Sequence, residues 1–372
     1  MTRAEALLAV LLASLSACSS DSVIDRSSRS IIGTASPCGI ERPALWDQAL
    51  LPSQYQFAGH RVGGLSGIDY RPGEKDYLMI SDDRGPHGGA RVYQARLSIG
   101  TQGKMAIRIR EAITLRQADG SPFATEGEIG TGTDGEALRA LDGDRLYWAS
   151  EAEGAESRSP QVFEATLSGG ESVPLALPRH LAPASDRSRG PRYNRSFEGL
   201  SIDADGNIWL GLEAPLIEDG APPSLASGSW TRIVRLARNG EDGRDYLYPL
   251  EPIARQLPGR LADNGLSELI ALPGPAFLVL ERSGSQQPDG GFDYVTRIFC
   301  AYPGREIDAG GTARLYKHLV VELNHLGAFD NANFEGMTFG PRLPDGRRSL
   351  ILVADNDFRD ERPTIIAALT FR

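Results

Sequence analysis

The chain has 372 residues, and 41% of them are hydrophobic, so it can form one large or two ordinary domains with a substantial core. Its formal net charge of −10 and the lack of any basic cluster disfavour nucleic acid and anionic membrane surfaces as partners. The 42 glycines and 24 prolines favour a fold of many short strands and turns.

The N-terminus has the features of a targeting segment. The apolar stretch Ala6–Leu15 is too short to span a bilayer, and it leads into Ala17-Cys18. This pattern resembles a bacterial lipoprotein signal in which Cys18 carries the lipid, and an ordinary secretory signal cut near Ala17 is the alternative. We predict a periplasmic or outer-membrane lipoprotein that contacts the membrane only through its anchor. Its predicted parts are a signal peptide over residues 1–17, a flexible tether over 18–36 and one domain over 37–372.

One hairpin pattern recurs five times after the tether. The clearest copy begins at Glu198, turns at Asp203–Asn207 and ends at Glu213, with short apolar strands on both sides of the turn. An acid or a serine begins each copy, at Ser66, Glu136, Glu198, Glu268 and Glu335, and a second acid ends it, at Asp82, Glu151, Glu213, Glu281 and Asp355. A third strand follows each hairpin, and a weaker fourth strand follows in the first four copies.

These repeats predict an all-β fold, a β-propeller of five four-stranded blades. The alternative is a sixth blade. It would have to lie between two successive copies of the hairpin, although the copies are already spaced at nearly equal intervals. The last copy lacks a fourth strand, so we expect N-terminal and C-terminal strands to share the closing blade, with Tyr55–Val62 as the N-terminal candidate. Two insertions, Pro178–Arg195 and Pro252–Asp263, are candidate rim loops over one face.

Two cysteines remain in the predicted domain, Cys38 and Cys300. Cys300 lies on the third strand of the fourth copy, next to the closing blade, so a disulfide with Cys38 would hold the ring closed. Such a bond is compatible with an oxidising compartment. The alternative is two unrelated buried thiols.

The repeated acids form the candidate metal site. Because the two open ends of a hairpin lie at the same edge, we expect both sets of acids on one rim of the ring. Carboxylates confined together need protonation, arginine partners or a cation, and oxygen ligands suit a hard cation such as Ca²⁺. The alternative is that the acids cap strand ends. The predicted ligands are Glu136, Glu198, Glu268, Glu335 and Asp355.

Several basic residues lie beside these acids. Arg84 and Arg282 follow the second acids of their copies, and Arg195 precedes Glu198. They can clamp a phosphate or a carboxylate, or they can pair with the surplus acids. His87, in the loop after Arg84, is the histidine that we would test as an acid or base. The sequence contains no P-loop, Rossmann fingerprint, zinc pattern or nucleophile elbow.

The paired motifs of four copies resemble one known family. They are Leu65-Ser66-Gly67-Ile68 with Ser81-Asp82-Asp83-Arg84-Gly85, Phe197-Glu198-Gly199-Leu200 with Gly211-Leu212-Glu213, Ser267-Glu268 with Leu280-Glu281-Arg282, and Asn333-Phe334-Glu335-Gly336 with Val353-Ala354-Asp355-Asn356-Asp357. In this order, they resemble the bacterial "esterase-like activity of phytase" (phytase-like) family over about residues 60–370. The resemblance implies a secreted propeller that hydrolyses phosphate or other esters.

By analogy with propeller phytases, Ca²⁺ would bridge carboxylates and phosphate while arginines hold the anion. Lysine occurs only at Lys75, Lys104 and Lys317, which disfavours the highly charged phytate as the substrate. We therefore expect a monomeric, Ca²⁺-dependent hydrolase of a small-molecule phosphate or other ester. The alternatives are a Ca²⁺-dependent lactonase or carboxylesterase and a non-catalytic envelope propeller that binds a ligand.

Overall fold

The computed structural model describes residues 38–41, 43–100, 104–123, 133–151, 159–236, 244–274, 276–307, 312–327, 329 and 331–371. The predicted signal peptide, the tether and Cys18 lie outside these residues. The chain enters the fold through β1 (Ala44–Leu51), followed by the short strands β2 (Gln56–Phe57) and β3 (His60–Arg61).

Four consecutive units of antiparallel strands follow, and we number them blades I to IV. Two short parallel pairs add to them, Arg116–Gln117 with Glu171–Ser172 inside blade II and Tyr246–Leu247 with Ala313–Arg314 between blades III and IV. Blade I contains β4 (Leu65–Arg71), β5 (Asp76–Ser81), β6 (Arg91–Ile99) and β7 (Met105–Thr114). Blade II contains β8 (Arg116–Gln117), β9 (Gly135–Ala140), β10 (Arg145–Ser150), β11 (Gln161–Thr166) and β12 (Glu171–Pro174). Blade III contains β13 (Phe197–Ile202), β14 (Ile208–Leu212), β15 (Ser229–Leu236) and β16 (Arg244–Leu250). Blade IV contains β17 (Gly265–Leu272), β18 (Ala276–Gln286), β19 (Phe292–Ile307) and β20 (Ala313–Glu322).

Blade V closes the ring with strands from both ends of the chain. Its strands are β21 (Asn333–Phe339), β22 (Arg348–Asp355), β23 (Thr364–Phe371) and β1, which pairs antiparallel with β23. The prediction that strands from both ends of the chain share the closing blade is confirmed. The prediction that Tyr55–Val62 supplies the N-terminal strand is wrong. Ala58 and Gly59 adopt positive φ angles of 51° and 83°, and this turn folds the segment into the β2–β3 hairpin instead.

The innermost strands form a closed circle of five. β4, β9, β13, β17 and β21 contact one another in this order, and β21 contacts β4 again, which confirms the five-bladed propeller. Glycines permit this close approach. A Cβ atom on Gly336 would lie 2.7 Å from the backbone oxygen of Ser66, and one on Gly67 would lie 2.9 Å from that of Glu136.

The hydrophobic cores lie between neighbouring blades. Leu350 and Leu352 of β22 pack toward blade IV, whereas Ile351 and Val353 pack toward blade I. Because both faces of a blade are covered, the second strands appear in the sequence as continuous apolar runs. Three short 3-10 helices complete the described chain, at Arg179–Leu181, Ile217–Asp219 and Leu323–Leu326. None of the helices in the described ranges is long and apolar enough to cross a membrane.

A disulfide joins Cys38 to Cys300, with the Cα atoms 5.8 Å apart. Cys38 lies just before β1 of blade V, and Cys300 lies on β19 of blade IV. The bond therefore crosses the interface between the closing blade and its neighbour.

Candidate active site

An acidic cavity of about 230 Å³ lies at the end of the ring where the inner strands begin. Its charged lining comprises eight acids and two arginines. The acids are Asp82, Glu136, Glu151, Glu198, Asp263, Glu335, Asp355 and Asp357, and the arginines are Arg84 and Arg282. Acids from both ends of the repeated hairpins thus share one cavity, as the hairpin geometry predicts.

A β-bulge lies at the start of each inner strand. In blade III, Phe197 pairs with Leu212 and Gly199 pairs with Gly211, so Glu198 between them has no cross-strand partner. The equivalent bulged residues are Ser66, Glu136, Glu198, Ser267 and Glu335. Because a bulge redirects the unpaired side chain, it sets which residue of each blade turns toward the cavity.

The position of the bulge in blade IV shows that the sequence alignment of this repeat was wrong by one residue. Ser267, not Glu268, is the residue equivalent to Glu198, and Glu268 lies one position further along β17. One position along a strand turns a side chain to the opposite side. Glu268 accordingly points into the channel, where its carboxylate lies 3.0 Å from the Arg139 guanidinium. A large apolar residue stands immediately before four of the five bulged positions, and Leu266 before Ser267 is the sequence signal for the correct alignment of this blade.

Among the described residues, there are two groups of three acids whose oxygens lie close enough together to hold a cation. One comprises Asp134, Glu136 and Glu151, and the other comprises Glu151, Glu198 and Glu213. In each group, one oxygen of every residue lies within 4.8 Å of those of the other two. Glu151 belongs to both groups. Of the predicted ligands, only Glu136 and Glu198 belong to these groups.

The other members were missed for two different reasons. Glu151 and Glu213 are hairpin-ending acids, and the predicted ligands include only one acid of that kind, Asp355. Asp134 lies immediately before β9, two residues before Glu136. It occupies neither of the two positions, at the beginning and the end of the hairpin, that define the repeats. In the aligned repeats, Asn333 precedes Glu335 by the same two positions, which is a weak signal that a polar side chain belongs there.

These carboxyl groups are buried, and this changes their acidity. Burial raises the pKa of Glu151 well above its usual range, and the neighbouring Glu213 and Asp134 raise it further. Burial and nearby acids also raise the pKa values of Glu136 and Glu198. Burial raises the pKa of Glu213 to about 7, although Arg282 opposes the rise. Without a cation, protonation is therefore favoured at these sites.

The two cavity arginines contact different acids. Arg84, in the loop after β5, lies 2.5 Å from Asp134 and donates a hydrogen bond of 2.5 Å to Asn194. Arg282, on β18, forms an ion pair with Glu335 and donates a hydrogen bond of 2.9 Å to Asn333. Two of the four predicted basic residues, Arg84 and Arg282, thus line the cavity, and both also pair with acids.

The other two predicted basic residues do not line the cavity. Arg195 lies 3.2 Å from Asp263, and this contact joins the two predicted rim loops at the cavity edge. The His87 ring stacks on Phe358, with 4.1 Å between the ring centroids.

Blade V supplies the remaining predicted ligands. Glu335 accepts a hydrogen bond of 3.0 Å from Asn333, besides its ion pair with Arg282. Asp355 is buried, and its Oδ1 atom has no hydrogen-bond partner within the described part of the chain. Burial raises the pKa of Asp355 well above its usual range, and Asp82 and Glu335 raise it further.

Glu281, the hairpin-ending acid of blade IV, does not line the cavity. It accepts hydrogen bonds of 2.6 Å from the Tyr248 hydroxyl and 3.0 Å from the Asn264 amide. It also forms an ion pair with Lys317. The repeated position therefore has a structural role in this blade, and the next residue, Arg282, faces the cavity instead.

Comparison with known proteins supports the resemblance found in the sequence. The sequence model of the family described as "Phytase-like: Esterase-like activity of phytase" matches residues 60–358. No curated protein matches the chain.

Several solved structures are similar to this chain at low TM-scores and low sequence identity. A thermostable family-43 glycoside hydrolase is similar at a TM-score of 0.45 and 10% identity, covering 84% of this chain and 91% of that one. The arabinohexaose complex of Cellvibrio cellulosa alpha-L-arabinanase is similar at 0.44 and 12%, covering 83% and 92%. The mannose phosphorylase MPT-4 from Leishmania mexicana is similar at 0.43 and 10%, covering 88% of each chain.

Proposed function

This chain belongs to the phytase-like family (esterase-like activity of phytase), and from that premise we propose a Ca²⁺-dependent hydrolase of small-molecule esters. Phosphoesters are the first substrate class. The observation that supports the proposal most is the presence of two clusters of three buried carboxylates, which have Glu151 in common. Both flank a cavity that also contains Arg84 and Arg282.

The donor set fits a hard cation. All five side chains of the two groups (Asp134, Glu136, Glu151, Glu198 and Glu213) are buried carboxylates, and oxygen-only ligands are typical of Ca²⁺. Buried anions also need compensation, which a divalent cation provides. Glu268, Glu335 and Asp355 belong to neither group, so we leave them out of the proposed ligand set.

The residues around the carboxylates suit an ester with anionic oxygens. A bound cation would polarise the phosphoryl or carbonyl oxygen and favour formation of a nucleophilic hydroxide. Arg84 and Arg282 would donate charge-assisted hydrogen bonds to the anionic oxygens of the substrate. Asp355 can hold a proton, because burial and the neighbouring acids raise its pKa, and it can donate this proton to the leaving oxygen.

Hydrolysis assays with and without the cation test this function. We expect the purified mature chain to hydrolyse p-nitrophenyl phosphate with Ca²⁺ and to lose the activity with a chelator. Glu151→Gln should abolish both the activity and Ca²⁺ binding in calorimetry, because it removes a charge from both groups. Glu74→Gln is the matched control, since Glu74 is exposed in the turn between β4 and β5.

Each other outcome contradicts a defined part of the proposal. Hydrolysis of p-nitrophenyl acetate or a lactone, but not of the phosphate, would replace the phosphoesterase with a carboxylesterase or lactonase. Ca²⁺ binding without turnover of any ester would indicate a ligand-binding envelope protein. Full activity of Glu151→Gln would reject the ligand set.

We also propose, from the sequence features described above, that the protein is a monomeric lipoprotein anchored at Cys18. Metabolic labelling with a fatty acid, compared with Cys18→Ser, tests this part separately. Equal labelling of both proteins would reject the anchor.

A further inference from the structure

Arg139 is buried at the centre of the ring and bonds to inner strands of several blades. Its guanidinium donates to Leu138 O at 2.6 Å, Leu269 O at 3.1 Å, Met337 O at 3.3 Å and Ile68 O at 3.4 Å. These carbonyl groups belong to blades II, IV, V and I. One side chain therefore links four of the five inner strands.

Glu268 extends this network to the fifth inner strand. Its carboxylate lies 3.0 Å from Arg139 and accepts a hydrogen bond of 3.1 Å from the backbone N–H of Leu200, on blade III. It also accepts one of 2.8 Å from the N–H of Leu269. The Arg139–Glu268 pair thus bonds to the backbone of all five blades.

The contacts lie close to the acidic cavity along the same strands. Glu136 is three residues before Arg139 on β9, and Glu198 is two residues before Leu200 on β13. At about 3.3 Å per residue, the network lies roughly 7–10 Å along the strands from these carboxylates. It therefore holds the strands at the level next to the two acid groups.

We propose that Arg139 is a positioning residue for the cation site, an inference that rests on the proposed function. Glu136 and Glu198 lie on inner strands of different blades, so their distances from Glu151 depend on how these strands are held together. Arg139 holds the strands together by binding carbonyl groups from different blades. A buried ion pair is a poor source of net stability, and its better attested use is to specify one arrangement of the elements that it joins.

Calcium affinity, measured by calorimetry on the mature chain, tests the proposal. Arg139→Lys keeps the charge beside Glu268 but lacks the planar fork of donors that reaches several carbonyl groups. We expect Ca²⁺ affinity to fall about tenfold, the lower end of the effect of removing outer partners of a metal site. Leu369→Ala, which removes a buried side chain of β23 in blade V, is the control for general destabilisation and should leave the affinity unchanged.

The outcomes separate this proposal from the function on which it rests. Wild-type affinity in Arg139→Lys, or an equal loss in Leu369→Ala, would overturn the positioning role. If Arg139→Lys does not fold, Glu268→Gln decides, because it keeps an oxygen acceptor for Leu200 and Leu269 but removes the ion pair. Unchanged affinity in that variant would also overturn the role. No Ca²⁺ binding by the wild type would instead reject the proposed function.

Discussion

Arg139 and Glu268 form an ion pair across the channel, 3.0 Å apart, between blades II and IV, which are not neighbours in the ring. Arg139 also lines a cavity of about 610 Å³ at the other mouth of the channel, together with Asp69 and Thr338. The pair thus lies between this mouth and the acidic cavity.

Close packing of the inner strands predicts a strong effect of Gly336→Ala. The new methyl group would lie 2.7 Å from the backbone oxygen of Ser66, so the neighbouring strand must shift. We expect the free energy of unfolding to fall by about 1–3 kcal/mol, the usual cost of overpacking. Gly73→Ala is the control, because no atom lies within 4 Å of its added Cβ atom. Equal stability of the two variants in urea unfolding would contradict the close approach.

The raised pKa values predict that the cation-free protein loses stability as pH rises. Burial raises the pKa of Glu213 and of Glu268 from the ordinary value of 4.5 to about 7. Between these values, the folded state binds more protons than the unfolded state, so the free energy of unfolding falls as pH increases. The lowered pKa of one histidine, His318, acts in the opposite direction near and below its ordinary value of 6.5, and the lowered pKa values of Asp203 and Asp245 do so near and below 3.8.

Thermal unfolding with a chelator, at pH 5 and at pH 8, measures this effect. We expect a lower midpoint at pH 8, and recovery when Ca²⁺ replaces the chelator, because the cation compensates the ionised carboxylates. A midpoint that rises between pH 5 and pH 8 without Ca²⁺ would contradict the prediction.

Loss of the disulfide should weaken ring closure. The double variant Cys38→Ala/Cys300→Ala removes a covalent link between residues 262 positions apart. We expect the free energy of unfolding to fall by about 2–4 kcal/mol, because the unfolded chain regains freedom. Reductant should destabilise the wild type and leave the double variant unaffected in the same urea titration. Identical curves for both oxidised proteins would show that the bond does not stabilise the ring.

Arg84 should matter more for an anionic substrate than for a neutral one. Removing a hydrogen bond to a charged group costs about 1.5–3 kcal/mol, so Arg84→Gln should raise KM for p-nitrophenyl phosphate at least tenfold. KM for p-nitrophenyl acetate should change little. Arg145→Gln is the control, because Arg145 is half exposed and pairs with Glu164 on a neighbouring strand. Equal changes for both substrates would argue against an anion-binding role.

Much of the fold could be predicted because the repeats leave local signals. Turn residues and alternating apolar positions indicated the hairpins, and their even spacing indicated five blades. The closing strand was misassigned because pairing of β1 with β23 joins distant parts of the chain, for which no local pattern exists. Glu268 was misaligned because a bulge shifts the register by one residue, and Glu and Ser both occur at the bulged position.

By itself, the sequence determined the propeller, its number of blades and the rim where acids accumulate, since each follows from a pattern repeated within short segments. Only the tertiary structure decided which acids meet. Asp134, Glu151 and Glu213 join Glu136 and Glu198 because bulges and neighbouring blades bring their oxygens together. Glu268 instead forms an ion pair with Arg139. These contacts depend on distances across the ring, and such distances are set by the packing of whole blades rather than by any single hairpin.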